Sequence, residues 1–204
     1  MILQRPEKAW ALYVLAHGAG AGMRHPFLES LAGALFAEGV ATLRYEFPYM
    51  ERGERRIDPK PVLAARVQEA VTAAAEQGLP LFAGGKSMGG RMTSQACAHG
   101  LVPGVRGLVF VGFPLHPAGK PGVARADHLR EARVPLLFLQ GTRDELADLS
   151  LLRPVVEGLP RATLHVVDDA DHSFHVRKKS GRTDAQALAE LVQVFAHWAR
   201  TLLE

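Results

Sequence analysis

Three side chains far apart in the chain, Ser87, Asp144 and His172, have the types and the order that turn a hydroxyl into a nucleophile. A serine hydroxyl attacks poorly until an imidazole takes its proton, and the imidazole needs a carboxylate to fix its tautomer and stabilise its cation. Ser87 stands in Gly85-Lys86-Ser87-Met88-Gly89, a G-x-S-x-G pattern, between the apolar run Leu79-Pro80-Leu81-Phe82-Ala83 and a helix-like stretch from Met88 to His99. A serine pinched between glycines at a strand-to-helix turn is thrust into a cleft by strained backbone.

Downstream, Val134-Pro135-Leu136-Leu137-Phe138-Leu139 reads as a buried strand that empties into Gln140-Gly141-Thr142-Arg143-Asp144. Asp144 directly follows that strand and turn, which favours it over Glu145 and Asp148 as the acid. A further strand, Ala162 to Val167, leads into Asp168-Asp169-Ala170-Asp171-His172-Ser173-Phe174. His172 is the candidate base. His165 lies within the strand pattern and reads as a core or surface histidine, and His175 takes the role only if the turn is longer. The order Ser, Asp, His differs from both serine-protease orders. Near the start, Leu12-Tyr13-Val14-Leu15-Ala16 breaks into His17-Gly18-Ala19-Gly20-Ala21-Gly22, a turn nearly free of side chains. Such a loop aims backbone N–H groups at a developing oxyanion; the amides of Ala19 and Met88 are the expected donors, with His17 and Gly18 expected beside the substrate.

The elements that must hold these groups alternate between short β-rich runs and helical patterns, which implies βαβ units, an α/β class and a mostly parallel sheet. Strands are expected near 10–16, 40–45, 80–84, 106–112, 135–139 and 162–167. Pro26 opens a helix whose Phe27, Leu28, Leu31, Leu35 and Phe36 recur at helical spacing, and Gly39 closes it. Val62, Arg66, Val67, Ala70, Val71 and Ala74 mark a second helix, and Leu188, Leu191, Val192, Phe195, Ala199 and Leu202 form the apolar stripe of the last.

His17 to Gly22, Gly84 to Arg91, Phe113-Pro114-Leu115-His116-Pro117, Gln140 to Asp144 and Ala170 to Phe174 together resemble the α/β-hydrolases, and within them the small hydrolases related to dienelactone hydrolases. The similarity runs from about Leu12 to the final helix. It implies a three-layer α/β-hydrolase fold and a serine hydrolase of esters or thioesters. One departure matters: the namesake enzymes use a cysteine nucleophile, whereas this chain has Ser87, so lactone specificity is not carried over. Only eight residues precede Ala9. That leaves little room for the antiparallel hairpin that usually begins this superfamily, so a trimmed sheet of about six strands is expected. Between Gly112 and Pro135, where the superfamily's substrate lids usually sit, there is room for a loop and one short helix but for no sizeable cap domain. An open pocket suits small soluble esters or thioesters, or an acylated protein side chain. An acyltransferase or perhydrolase with the same three residues is the alternative, and a catalytically silent interaction module a further one.

At 204 residues with 48% hydrophobic composition, the chain can bury one full α/β core, so residues 1–204 are expected to form one domain. Its one cysteine, Cys97, excludes an intrachain disulfide and suits a reducing compartment, and a cytoplasmic protein is expected. Arg5, Lys8 and the apolar stretch after them loosely imitate a leader peptide, but cleavage after Ala21 would delete a sheet strand and the glycine loop. No apolar run approaches the roughly 20 residues of a membrane span, and no membrane partner is expected. Asp168, Asp169 and Asp171 lack the spacing of a calcium loop and no zinc pattern is present, so neither metal nor cofactor is expected. No basic stripe is interleaved with aromatics, which argues against nucleic acid, and no feature sets an oligomeric state.

His116 and His128 lie in the connection that overhangs the site and are candidates for substrate contact. Arg52, Arg55 and Arg56 read as a solvated basic loop. Arg177, Lys178, Lys179 and Arg182 read the same way, or as a rim that attracts an anionic substrate. Lys86 and Arg91 are expected to point away from the cleft and pair with Glu46.

Overall fold

The computed structural model describes residues 1–204. Along β2 (Ala11–Ala16), Leu12, Val14 and Ala16 enter one hydrophobic cluster and Ala11, Tyr13 and Leu15 another. Successive side chains of a strand point to opposite faces, so a strand covered on both sides must be apolar throughout; all six of these residues are buried. The same holds for β3 (Val40–Tyr45) and β6 (Leu136–Gly141), whose residues are buried without exception.

Seven strands form one sheet in the order β1-β3-β2-β4-β5-β6-β7, with β4 at Leu81–Lys86, β5 at Val105–Val111 and β7 at Ala162–Val167. Every neighbouring pair is parallel except β1 (Ile2–Gln4), which runs antiparallel to β3 with Ile2 opposite Arg44. All six expected strands are present, and β1 is a seventh. Ile2–Gln4 pair with Thr42–Arg44 and so cover the middle of the outer edge of β3.

Helices α1 (Pro26–Ala37) and α6 (Asp184–Thr201) pack on one face of the sheet. Helices α3 (Lys60–Ala75), α4 (Met88–Ala98) and α5 (Leu149–Glu157) cover the other, and the short α2 (Pro48–Glu51) follows β3. The connection after β5 holds loops and a 3₁₀ segment, Ala124–Glu131, and no cap domain. No helix is long and apolar enough to cross a membrane.

The sheet order determines where a cleft can open. From β2 the chain steps to β3 on one side, and then to β4 on the other. At such a switch point the loops leaving the carboxyl ends of the two strands diverge and leave a crevice. The loop after β2 begins at His17, and the turn after β4 is Ser87.

Candidate active site

Ser87 ends β4 and caps α4 with φ 51° and ψ −119°, a left-handed backbone that a side-chain-bearing residue rarely adopts. Both flanking glycines are required by contact with β2. A Cβ on Gly85 would stand 2.3 Å from the Ala16 carbonyl oxygen, and one on Gly89 2.5 Å from that of His17. Their absence lets the turn settle on the end of β2 and brings the serine beside the glycine loop.

Asp144 follows β6 and His172 follows β7, and both loops return to the same edge of the sheet. His172 Nε2 lies 2.8 Å from Ser87 Oγ, and its Nδ1 lies 2.7 Å from Asp144 Oδ2. The three candidates therefore fall on one line of hydrogen bonds. The Asp144 side chain is fully buried while His172 is partly open to solvent. Asp144 Oδ1 accepts the Leu146 N–H at 2.8 Å, and Oδ2 also accepts from Gln140 Nε2. The Gln140 amide is oriented in turn, because its Oε1 accepts the Phe113 N–H at 2.9 Å.

The acid and imidazole loops are laced together. Thr142 N–H donates to Val167 O at 3.1 Å, Arg143 N–H to Ala170 O at 2.9 Å, and Asp169 N–H to Thr142 Oγ1 at 2.8 Å. Gly141 permits that approach: a Cβ there would sit 2.2 Å from the Ala170 oxygen. The competing groups have other partners. His165 pairs with Glu190 at 2.7 Å, His175 with Asp184 at 2.9 Å, and Asp148 accepts Ser150 N–H to cap α5.

Ala19 and Met88 border the space in front of Ser87. Met88 is the first residue of α4, so its N–H has no intrahelical acceptor. The Ala19 N–H donates to no backbone or side-chain group of the protein. The loop that carries it is tied down by Gly20 N–H, which donates to Tyr49 Oη at 3.1 Å.

Two clefts, of about 380 and 350 Å³, meet at Ser87. Gly18 lines the second. His17 lines neither and is fully buried, which corrects its expected place beside the substrate. Its Nδ1 donates to Gly18 O at 2.7 Å and its Nε2 accepts Phe47 N–H at 3.0 Å, so it anchors the glycine loop to the end of β3. Burial holds this imidazole below the usual histidine value, and with Nε2 already accepting it is neutral, so its 3.2 Å approach to Glu46 is not an ion pair.

His116 is likewise buried, with Nδ1 donating to Pro117 O and Nε2 accepting Asp148 N–H; both nitrogens are used in holding the loop. His128 contacts Ser94 Oγ at 2.7 Å and lines a separate hollow of about 530 Å³ between α3 and α4, away from Ser87. Burial pulls its pKa down to about 4, so it is uncharged there.

The expected pairing of Lys86 and Arg91 with Glu46 does not form. Glu46 Oε1 instead accepts Met23 N–H at 3.0 Å. Arg91 lines the larger cleft and Lys86 the smaller. Lys86 Nζ is buried without a hydrogen-bond acceptor, 5.8 Å from the centre of the Phe174 ring. Burial drives its pKa down to about 8, against the opposing pull of Asp144 and Asp171.

This lysine carries a stability cost whose sign follows from linkage. Its folded pKa lies below its unfolded one, so between about pH 8 and 10 the unfolded chain binds more protons and stability rises with pH. The cost is complete below that window and gone above it. Lys86→Met is expected to stabilise the protein by roughly 2 kcal/mol at pH 7, the desolvation relieved less the lost cation–π contact. Urea titrations should show that gain shrinking to nothing by about pH 10; a gain independent of pH would contradict the assignment.

Of the basic clusters, Arg52 pairs with Glu54 and Asp58, Arg177 with Asp169, and Arg182 with Glu190. In the 177–182 segment, read as a solvated loop or as an anion-attracting rim, both arginines are thus committed to carboxylates. Tyr49 and Gln140, which orient the glycine loop and the acid, were not legible as site residues. The one trace of Gln140's role is a polar residue buried within an otherwise apolar strand.

Residues 9–200 match the model of a family described as alpha/beta hydrolase domain. Among solved structures, the chain is similar to an esterase domain from a Rhodothermus marinus protein, with a TM-score of 0.71 at 19% identity over 98% of this chain and 91% of that one. It is similar to an alpha-beta serine hydrolase homologue from Coxiella burnetii, with a TM-score of 0.72 at 20% identity over 96% and 89%. A dienelactone hydrolase from Anabaena variabilis superposes with a TM-score of 0.70 at 23% identity over 96% and 88%. At these identities the structures speak for the fold alone; the family match, over nearly the whole of a sheet that switches direction where the serine turn sits, establishes that the chain belongs to the α/β-hydrolase domain family.

Proposed function

We propose that this protein is a serine hydrolase of carboxylic esters or thioesters that works through an acyl-enzyme. The observation that carries the reading is the unbroken line from Asp144 through His172 to Ser87, with contacts of 2.7 and 2.8 Å. In this reading Ser87 Oγ attacks the acyl carbon as its proton passes to His172 Nε2. Asp144 Oδ2, beside Nδ1–H, holds the imidazole in the tautomer that accepts that proton and stabilises the resulting cation. The oxyanion develops toward the N–H groups of Ala19 and Met88, which are preorganised and lack competing acceptors. His172 then protonates the leaving alcohol or thiol, and a water activated by the same imidazole releases the acid and restores Ser87.

The two clefts that meet at Ser87 suit an acyl group on one side and a leaving group on the other. With no cap domain over them, small or open-access substrates fit best. The lone cysteine is in keeping with a cytoplasmic setting. Rapid mixing with p-nitrophenyl acetate should release a burst of nitrophenolate stoichiometric with enzyme, and a fluorophosphonate probe should label Ser87. A folded protein that gives neither burst nor label would defeat the proposal.

A further inference from the structure

The larger cleft at Ser87 carries an imbalance of charge that the acyl-transfer steps do not use. Arg91 lies one helical turn beyond the nucleophile on α4, a separation on the order of 6 Å between Cα atoms. Arg91 lines the cleft, on the face of α4 where helical side chains lean toward the N-terminal serine turn. Arg125, from the 3₁₀ segment after β5, lines the same cleft, and Lys60 at the start of α3 adds a third cation.

Neither arginine has a carboxylate. Arg44 and Arg66, the arginines most deeply placed elsewhere, pair with Glu29 and with Glu69. Arg91 Nε is buried with no acceptor at all, and Arg125 makes only one long contact, to Pro114 O at 3.5 Å. Burial, and then the charge of Arg125, holds Arg91 below the usual arginine value. Asp58 is the acid that lines the cleft; its Oδ1 accepts from Arg52 at 2.8 Å and its Oδ2 is buried without reaching either arginine. Two guanidinium groups that share a cleft with no carboxylate in contact with either are costly to bury, and a planar oxyanion presented to their donors relieves that cost.

We infer that Arg91 and Arg125 bind a carboxylate on the substrate, so that the esters or thioesters hydrolysed at Ser87 carry a second, ionised carboxyl group, as in half-esters of short dicarboxylic acids. The inference rests on the proposed hydrolase reading and narrows its substrate class. It also moves the source of anion recognition from the 177–182 loop to the cleft itself.

The test compares kcat/KM for p-nitrophenyl butyrate with that for p-nitrophenyl hemisuccinate and hemiglutarate, which place the carboxylate on the acyl side. The pair 4-acetoxybenzoate and phenyl acetate places it on the leaving side. A butyrate ester with a terminal trimethylammonium group supplies the opposite charge. At least one anionic ester should exceed its neutral counterpart by about tenfold or more, the range of a charge-assisted contact. Arg125→Glu should collapse that ratio and favour the cationic ester, while Arg125→Lys retains part of it. Arg91→Gln should lower the anionic-to-neutral ratio more than it lowers turnover of the neutral ester. Equal turnover of anionic and neutral esters in both arms, a ratio unmoved by Arg125→Glu, or preference of the parent protein for the cation would overturn the inference while leaving the hydrolase reading intact. If no ester is cleaved, the hydrolase reading fails, and calorimetric titration with monomethyl glutarate still decides: binding lost in Arg125→Glu supports the anion site, and no binding to the parent protein removes it.

Discussion

Ser87→Ala is expected to lower kcat for p-nitrophenyl acetate by about 10⁵- to 10⁶-fold, the scale seen when the nucleophile of such a relay is removed elsewhere. The substitution deletes a single oxygen whose hydrogen bond in the folded chain is to His172 Nε2 at 2.8 Å. It leaves the backbone at φ 51° as strained as before, since alanine pays the same penalty there as serine. The melting temperature should therefore stay close to that of the parent. Activity should not reach zero, because the Ala19 and Met88 amides still face the acyl group and such donors alone retain some acceleration. Single-turnover kinetics with the variant in excess over the ester would measure the loss, and absence of fluorophosphonate labelling would confirm that no parent enzyme contaminates it. A decrease smaller than about tenfold would remove Ser87 from its assigned role.

Asp144→Asn should cost about 10⁴-fold at neutral pH, on the precedent of the same exchange in a serine protease. The structure supplies a reason specific to this chain. Leu146 N–H donates to Oδ1, so the asparagine oxygen is drawn to that position and its NH₂ group takes the place of Oδ2. There it meets His172 Nδ1 and the Gln140 amide nitrogen, whose orientation is held by Phe113 N–H. Donor then faces donor at Gln140, and the imidazole can satisfy the new NH₂ only by accepting at Nδ1. That tautomer presents an N–H to Ser87 instead of a lone pair, and the serine keeps its proton. Proton NMR of the imidazole and the kcat of the variant should change together; near-normal turnover would mean that the carboxylate is dispensable.

The sheet was legible wherever burial on both faces forces an apolar run, as in Leu136 to Leu139 or Leu12 to Ala16. The glycine-flanked serine, the acid after β6 and the histidine after β7 could be read because strand ends, glycines and polar turns are local signals. β1 could not be read this way. Ile2 to Gln4 owe their pairing to the unsatisfied edge of β3, some forty residues away, and carry no pattern of their own. The histidines show the opposite error. His17 and His116 stand beside the site in sequence, but each spends one ring nitrogen on the next residue's carbonyl and the other on a backbone N–H that only folding brings near. Lys86 and Arg91 were misplaced for a related reason: their expected partner, Glu46, is engaged by Met23 N–H across a turn whose geometry no spacing rule reveals.

The lacing between the loops after β6 and β7 joins Thr142 to Val167 and Asp169, and Arg143 to Ala170, while the serine turn rests on β2. The carboxylate and the imidazole thus share one anchorage, and the hydroxyl has another. Any shear across the sheet between these two anchorages leaves the Asp144–His172 contact unchanged and spends itself on the gap to Ser87. Proton transfer to the nucleophile is therefore the step most exposed to distortion of the scaffold, and the tautomer of His172 the property best protected from it.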